Sequence, residues 1–285
     1  VPAHNEEAGI IESVRSLLGL SYPNFEVIVV DDGSTDRTFD LLDQEFQLEC
    51  VPRVIPNEVE TIGEITSVHT PRNGDNLIVI QKAQSGKTDA LNAGINAARN
   101  PLVCMIDADS LLDSEALLHV VKPFVDWPEK VIATGGTIRV VNGSTVLQGR
   151  VVAPLMPGRW LPRMQVIEYL RAFLLGRGGW SRFKSLLIVS GAFGLFRRDV
   201  VVQVGGYSHS TIGEDAELVA KLHSHCRENK LDYAIEFVVE PVCWTEVPSN
   251  MRSLGAQRQR WSHGLAETLW THKSMIGNPR YGRIG

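Results

Sequence analysis

Cysteine is scarce: Cys50, Cys104, Cys226 and Cys243 are the only four in 285 residues. None stands in a C-x-x-C pair, so neither a zinc ribbon nor a disulfide scaffold is indicated, and a reducing compartment is expected. No apolar run reaches the eighteen or so residues that cross a bilayer, and no stretch reads as a secretory leader. A Walker A loop is also missing. Gln84-Ser85-Gly86-Lys87-Thr88 has its tail, but the spaced first glycine is absent. What is present is an ordinary globular composition, 44% apolar and 21% charged, with ample material for a core.

Acidic residues are nearly absent from two stretches, although the net charge is −5. Residues 150–185 carry Arg150, Arg159, Arg163, Arg171, Arg177, Arg182 and Lys184 against the single acid Glu168. Residues 251–285 carry Arg252, Arg258, Arg260, Lys273, Arg280 and Arg283 against Glu267. Aromatic residues are interleaved with these bases, notably Trp160, Tyr169, Phe173, Trp180 and Phe183. Met164–Leu175 has helical spacing, with Val166, Ile167, Leu170, Phe173 and Leu174 on one face. Such a helix fits a membrane interface better than nucleic acid; a face turned to the protein core fits the same spacing.

Carboxylates gather where apolar runs stop. Leu102-Val103-Cys104-Met105-Ile106 reads as a buried strand, in the middle of a parallel sheet, that ends at Asp107-Ala108-Asp109. In open α/β sheets, ligands bind beyond the carboxyl ends of the strands. An i, i+2 carboxylate pair in an extended chain points to one side and suits Mg²⁺ or Mn²⁺ bridging to phosphates. A solvated turn would use the same residues. Phe25–Val30 is a second such run, ending in Asp31-Asp32-Gly33-Ser34, where an acid can accept from a ribose or a base. A third strand is expected at Leu77–Ile80. After it, Gly86-Lys87 at a helix start offers an anion site built from free N–H groups and a cation.

Helices are expected from a cap at Asn5, with Glu6 and Glu7 in the first turn and Ile10, Ile11, Val14, Leu17 and Leu18 on one face, over Arg37–Phe46, Asp89–Asn100 and Leu117–Val125, and from Glu214 onward. A terminal helix should carry Leu254, Trp261, Leu265 and Leu269 on one face. Further strands are expected within 131–141, 190–196, 235–239 and 242–244, and Gly135-Gly136 should mark a close approach. Residues 50–76, broken by Pro52, Pro56 and Pro71, read as an irregular excursion or an added hairpin.

Taken in order, Asp31-Asp32-Gly33, Asp107-x-Asp109, Glu214-Asp215 and Gln257-x-x-Arg260-Trp261 resemble the family 2 glycosyltransferases. The processive membrane branch that makes cellulose, chitin, hyaluronan or poly-N-acetylglucosamine is the most similar. Pro2-Ala3-His4-Asn5-Glu6-Glu7 and Gly86-Lys87…Ala90-Leu91-Asn92 look like the same family. The resemblance covers essentially the whole chain except 50–76. It implies a GT-A fold, α/β, with a Rossmann-like, mostly parallel open sheet flanked by helices and amphipathic interface helices toward the C-terminus. One domain would span 1–285, with a nucleotide-sugar half at 1–140 and an acceptor half at 141–285.

The resemblance also implies roles. Pro2, Ala3, Asn5, Glu6, Asp32, Lys87, Asp107, Ala108 and Asp109 would hold a UDP-sugar, with Asp109 on the Mg²⁺ or Mn²⁺ and Asp32 on uridine. Asp215, beside Glu214, would be the general base of an inverting transfer. Gly191, Gln257, Arg260 and Trp261 would line the acceptor and diphosphate side. The acceptor would be a glycan or lipid-linked sugar, and nucleic acid is not expected. By the same resemblance the chain would be a piece of a multi-pass protein working at the cytoplasmic face of the cell membrane. A non-processive family 2 transferase is the nearest alternative. A haloacid-dehalogenase-type phosphatase would need a hydroxyl-bearing residue where Leu111 stands. A nucleotide-sugar-binding module without turnover is the third reading.

Overall fold

The computed structural model describes residues 1–183, 185–209 and 211–284. Lys184, counted above among the bases of 150–185, lies outside them. The chain builds two five-stranded sheets and a short hairpin, with helices packed on the sheets.

The first sheet has the order β1-β2-β5-β4-β3. β1 (Pro2–Ala3), β2 (Val27–Asp32) and β5 (Leu77–Lys82) are parallel. β4 (Ile65–Pro71) and β3 (Leu48–Cys50) extend the sheet antiparallel. Helices α1 (Ile10–Leu18), α2 (Thr38–Phe46) and α3 (Lys87–Ala97) accompany it. α1 buries Ile10, Val14 and Leu17, the face that the sequence spacing predicts. Asn5 does not cap α1, which begins at Ile10 behind Gly9. Its side chain instead accepts from the N–H groups of Thr35 and Asp36, tying the two loops beside the pocket together.

The second sheet has the order β6-β11-β8-β12-β7. It contains β6 (Leu102–Ile106), β7 (Leu111–Leu112), β8 (Val131–Val140), β11 (Phe193–Arg197) and β12 (Ala234–Thr245). Only β8 and β12 run parallel here, so the parallel character expected of the sheet is confined to β1-β2-β5 and β8-β12. β6 is an edge strand paired antiparallel with β11, and not the centre of a parallel sheet as its apolar run suggests. Its other edge faces β2 across an apolar slot of about 310 Å³, lined by Val27, Ile28, Leu102–Ile106 and the small residues Ala90, Gly94 and Ala98. That apolar surroundings explain the unbroken run. The glycines of β8 make room for the chain itself: a Cβ on Gly135 would lie 2.5 Å from Val189, and one on Gly136 2.3 Å from Val242.

Residues 50–76 form β3, β4 and a strap over α3. One face of α3 carries Asp89, Asn92 and Asn96, all buried, and each holds the strap. Asp89 accepts from the N–H groups of Ile62 and Gly63, Asn92 donates to Glu60 O, and Asn96 accepts from Glu58 and Val59. Buried polar groups at i, i+3 and i+7 are satisfied by a strand-free backbone that has no ladder of its own.

α4 (Ala116–Asp126) covers the second sheet, and the hairpin β9 (Thr145–Leu147)–β10 (Arg150–Ala153) follows β8. A continuous helix then runs through α5 (Trp160–Leu170), a π-helical stretch (Arg171–Arg177) and α6 (Gly178–Arg182). α7 (Arg198–Gln203), α8 (Glu214–Glu228) and α9 (Met251–Thr271) complete the chain. α9 rests on α8 backbone to backbone: a Cβ on Gly264 would lie 2.7 Å from Gly213 N and Cα. Its expected apolar face is not buried. Trp261, Leu265 and Leu269 are exposed, and Gly264 and Thr268 make the seat.

Candidate active site

A cleft of about 260 Å³ opens at the carboxyl ends of β1, β2 and β6. Pro2, Ala3, His4, Glu6, Asp32, Lys87, Asp107, Ala108 and Asp109 line it. Eight of these are expected from the sequence; His4 is the addition, held by Nδ1 against Asp32 O at 3.0 Å. Asn5 acts from behind, through the loop contacts given above.

Asp32 and Lys82 are register partners on the parallel ladder of β2 and β5, so their side chains meet at the ladder's end. Lys82 Nζ donates to Asp32 Oδ1 at 2.6 Å and lies 2.8 Å from Asp89 Oδ2, with all three groups buried. Ser85 N donates to Asp32 Oδ1 and Gly86 N to Oδ2, at 3.0 and 2.7 Å. Asp32 thus takes the N–H groups of the two residues before α3, which itself has no side-chain cap. Asp32 anchors the turn that presents Lys87, and a uridine contact would have to share its oxygens with these donors. Burial works against the Asp89 charge, but Lys82, Ser85 and the strap N–H groups hold its carboxyl down at about 2.

Lys87 joins the two halves of the site. Its Nζ lies 2.7 Å from Asp107 Oδ1 and 2.8 Å from Glu214 Oε1. Burial opposes its charge, yet these two carboxylates more than offset that and raise its pKa. Asp107-Ala108-Asp109 is a turn, closed by Ser110 N donating to Asp107 O at 3.1 Å, and not the extended segment expected. The turn still brings both carboxylates to the cleft, with Asp107 on Lys87. Asp109 has only Ser110 Oγ nearby, at 3.5 Å. Burial and then Asp107 push the Asp109 pKa up, and burial, Asp109 and Asp107 do the same to Glu6.

The donor set fits one hard divalent cation. Among the described residues Asp109 makes no ion pair, and no cluster of three ligating side chains exists to enclose a metal. An ion held by one or two carboxylates completes its shell with substrate phosphates and water, the usual arrangement for Mg²⁺.

Glu214 and Asp215 open α8. Asp215 Oδ1 accepts from Ala216 N at 2.9 Å, and its pKa is raised by burial and then by Glu214. Gly191 lies against it: a Cβ there would come within 3.3 Å of Asp215 Oδ2. The glycine thus leaves space beside a carboxylate. On α9, Gln257 Oε1 is buried without a partner. Arg258, which sequence reasoning passed over, stacks on Trp261 at 4.5 Å and pairs with Glu168 of α5 at 2.5 Å. Arg260 is exposed, and no contact joins it to the carboxylates among the described residues. Lys82 was missed as well, because a lysine at a strand end reads as solvated until the register sets it opposite Asp32.

An open α/β sheet with carboxylates at its strand ends, facing an acid pair that opens a separate helix, fits a GT-A type of glycosyltransferase fold. The glycosyl transferase family 2 model matches residues 1–205, and the chain belongs to that family. Glu214, Asp215 and the α9 residues lie beyond the matched stretch. A poly-beta-1,6-N-acetyl-D-glucosamine synthase of Staphylococcus epidermidis is 28% identical over 266 residues, 93% of this chain and 53% of its own length. The probable glycosyltransferase YdaM of Bacillus subtilis is 28% identical over 268 residues, 93% of this chain and 54% of its own. The chain thus spans about half the length of the curated relatives it matches. A mannosyltransferase of Pyrobaculum calidifontis, solved with GDP-Man and Mn²⁺, superposes with a TM-score of 0.67 at 20% identity, covering 99% of this chain and 66% of that one. TarS of S. aureus with UDP-GlcNAc gives 0.53 at 19% identity, over 89% of this chain and 59% of that one. These likenesses show the fold.

Proposed function

We propose that the chain transfers a sugar, with inversion, from a UDP-sugar to a growing glycan. The observation that carries this reading is Lys87, which ion-pairs with Asp107 of the cleft and Glu214 of α8 and so brings Asp215 up to the donor carboxylates. Inversion needs a base on the face of the sugar opposite the leaving diphosphate, supplied from a segment other than the donor-binding one. Asp215 meets that requirement, and its raised pKa makes it a stronger base for a hydroxyl proton. Asp109, with Asp107 beside it, would hold the divalent ion, which supplies charge stabilisation to the departing diphosphate. The family's relatives named as poly-N-acetylglucosamine synthases support a polymer product and UDP-GlcNAc as the first donor to try.

The membrane is the proposed setting. α5 and the π-helical stretch turn Trp160, Met164, Ile167, Leu170, Leu174 and Leu175 to the outside. The exposed bases Arg159, Arg163 and Arg171 flank them. The apolar stripe faces outward, the reverse of a core-packed helix, and this is the pattern of an interfacial helix. Among the described residues no helix is long and apolar enough to cross a membrane.

The test is UDP release across a panel of UDP-sugars, with Mn²⁺, with Mg²⁺ and with chelator. One sugar should give metal-dependent release that Asp109→Asn abolishes, and product size then separates polymer from single addition. Release that is indifferent to metal and to Asp109→Asn would overturn the reading.

A further inference from the structure

We propose that Arg177 binds the diphosphate of the nucleotide-sugar donor, as a further cation beside the carboxylates of the site. This rests on the transferase reading above. Arg177 ends the π-helical stretch, and widened turns of this kind occur mostly at functional sites. Its guanidinium lies flat over Phe173 at 3.9 Å, and Phe173 is itself packed between Tyr169 and Phe237. Nη1 is shut off from solvent and has no hydrogen-bond partner. A shielded guanidinium nitrogen without a partner is costly, and such groups persist where a ligand completes them.

The charges around it say which ligand. Burial depresses the Arg177 pKa to about 10, and Asp215 and Tyr169 are the groups whose charges act on it. Tyr169 in turn feels Asp109, so Arg177 lies within electrostatic reach of Asp215 and its neighbour Tyr169 within reach of Asp109. The centre holds Glu6, Asp107, Asp109, Glu214 and Asp215, and an entering diphosphate adds more negative charge. Lys87 is already shared by two carboxylates, and Arg260 faces outward. Arg177 is a cation near this centre that has no ion pair among the described residues, and its planar fork matches phosphate oxygens.

The experiment measures binding of UDP with Mn²⁺, and of uridine, to the full chain and to its Arg177→Met and Arg177→Lys variants, with thermal melting of each. Arg177→Met keeps the stem on Phe173 and removes the charge. It should weaken UDP at least ten-fold, leave uridine unchanged and leave the melting temperature equal or higher, because an unpaired shielded charge has gone. Arg177→Lys should fall between wild type and Met. UDP bound equally by wild type and both variants would overturn the assignment while leaving the transferase reading in place. A lowered melting temperature with unchanged UDP affinity would make Arg177 a packing residue and would also overturn it. Wild type that binds neither UDP nor GDP with Mn²⁺ would remove the transferase reading and the assignment together.

Discussion

Asp215 shows how a single carboxylate is prepared for its work. Its raised pKa has two causes, burial and the neighbouring Glu214. In the proposed mechanism the ionised form is the active base, so activity is lost as pH falls through the Asp215 pKa. The acidic limb of kcat/KM should therefore lie above the range of an ordinary aspartate. Glu214→Gln removes a like charge, lowers that pKa and should move the limb to lower pH; a pH–rate profile checks the direction. Asp89 works the other way. Its depressed carboxyl, at about 2 against an ordinary 3.8, gives stability that is present above about pH 4 and lost as pH falls through 2. Asp89→Leu leaves Lys82 and the strap N–H groups short of an acceptor and should cost about 3–5 kcal/mol in urea denaturation. The two Asp motifs stand out in the sequence because apolar runs stop abruptly at acids, and Glu214-Asp215 because an acid pair opens an amphipathic helix. Lys82 and Arg177 do not, since the value of each depends on a group that only the fold brings near, Asp32 for the one and Asp215 for the other.

At the scale of elements, the site depends on where α8 starts and on what sits against it. Gly213 and Gly264 touch through their backbones, and Ile212 N donates to Glu267 Oε2 at 2.8 Å. This seat fixes α9, and with it Gln257 and Trp261, relative to Asp215. Gly264→Ala inserts a methyl where Gly213 backbone atoms lie 2.7 Å away, and overpacking of this kind costs about 1–3 kcal/mol. The variant should melt at a lower temperature and lose turnover with donor affinity nearly kept, which melting and donor titration would read. Helix positions were well predicted where one apolar face is buried, as in α1. In α5 and α9 spacing reveals the apolar stripe but not which way it faces; the structure turns most of both stripes outward, as an interfacial helix requires. The strap over residues 51–64 was illegible for a different reason: its partners Asp89, Asn92 and Asn96 sit on α3, and polar residues at helical spacing ordinarily signal solvent.

At the scale of the whole molecule, one end of the sheets carries the carboxylates, and the α5 and π-helical stretch presents exposed apolar side chains beside bases. That surface is the one proposed to meet a membrane. Trp160→Ser with Ile167→Ser should reduce co-sedimentation with anionic phospholipid vesicles several-fold and leave UDP binding as it was. Loss of UDP binding in the same variant would mean that the stripe packs against the donor site. The sheets themselves are more antiparallel than the apolar runs suggest. Apolar runs report burial on both faces and do not report strand direction.

The central claim is that Asp215 takes the acceptor proton while the carboxylates of the cleft hold the donor. The most direct measurement compares donor binding with sugar transfer in Asp215→Asn, using UDP-GlcNAc and Mn²⁺. The predicted result is donor affinity close to that of the unaltered chain with transfer slowed by about 10²–10⁴-fold, the range of a lost general base. Transfer by Asp215→Asn at the rate of the unaltered chain would contradict the account.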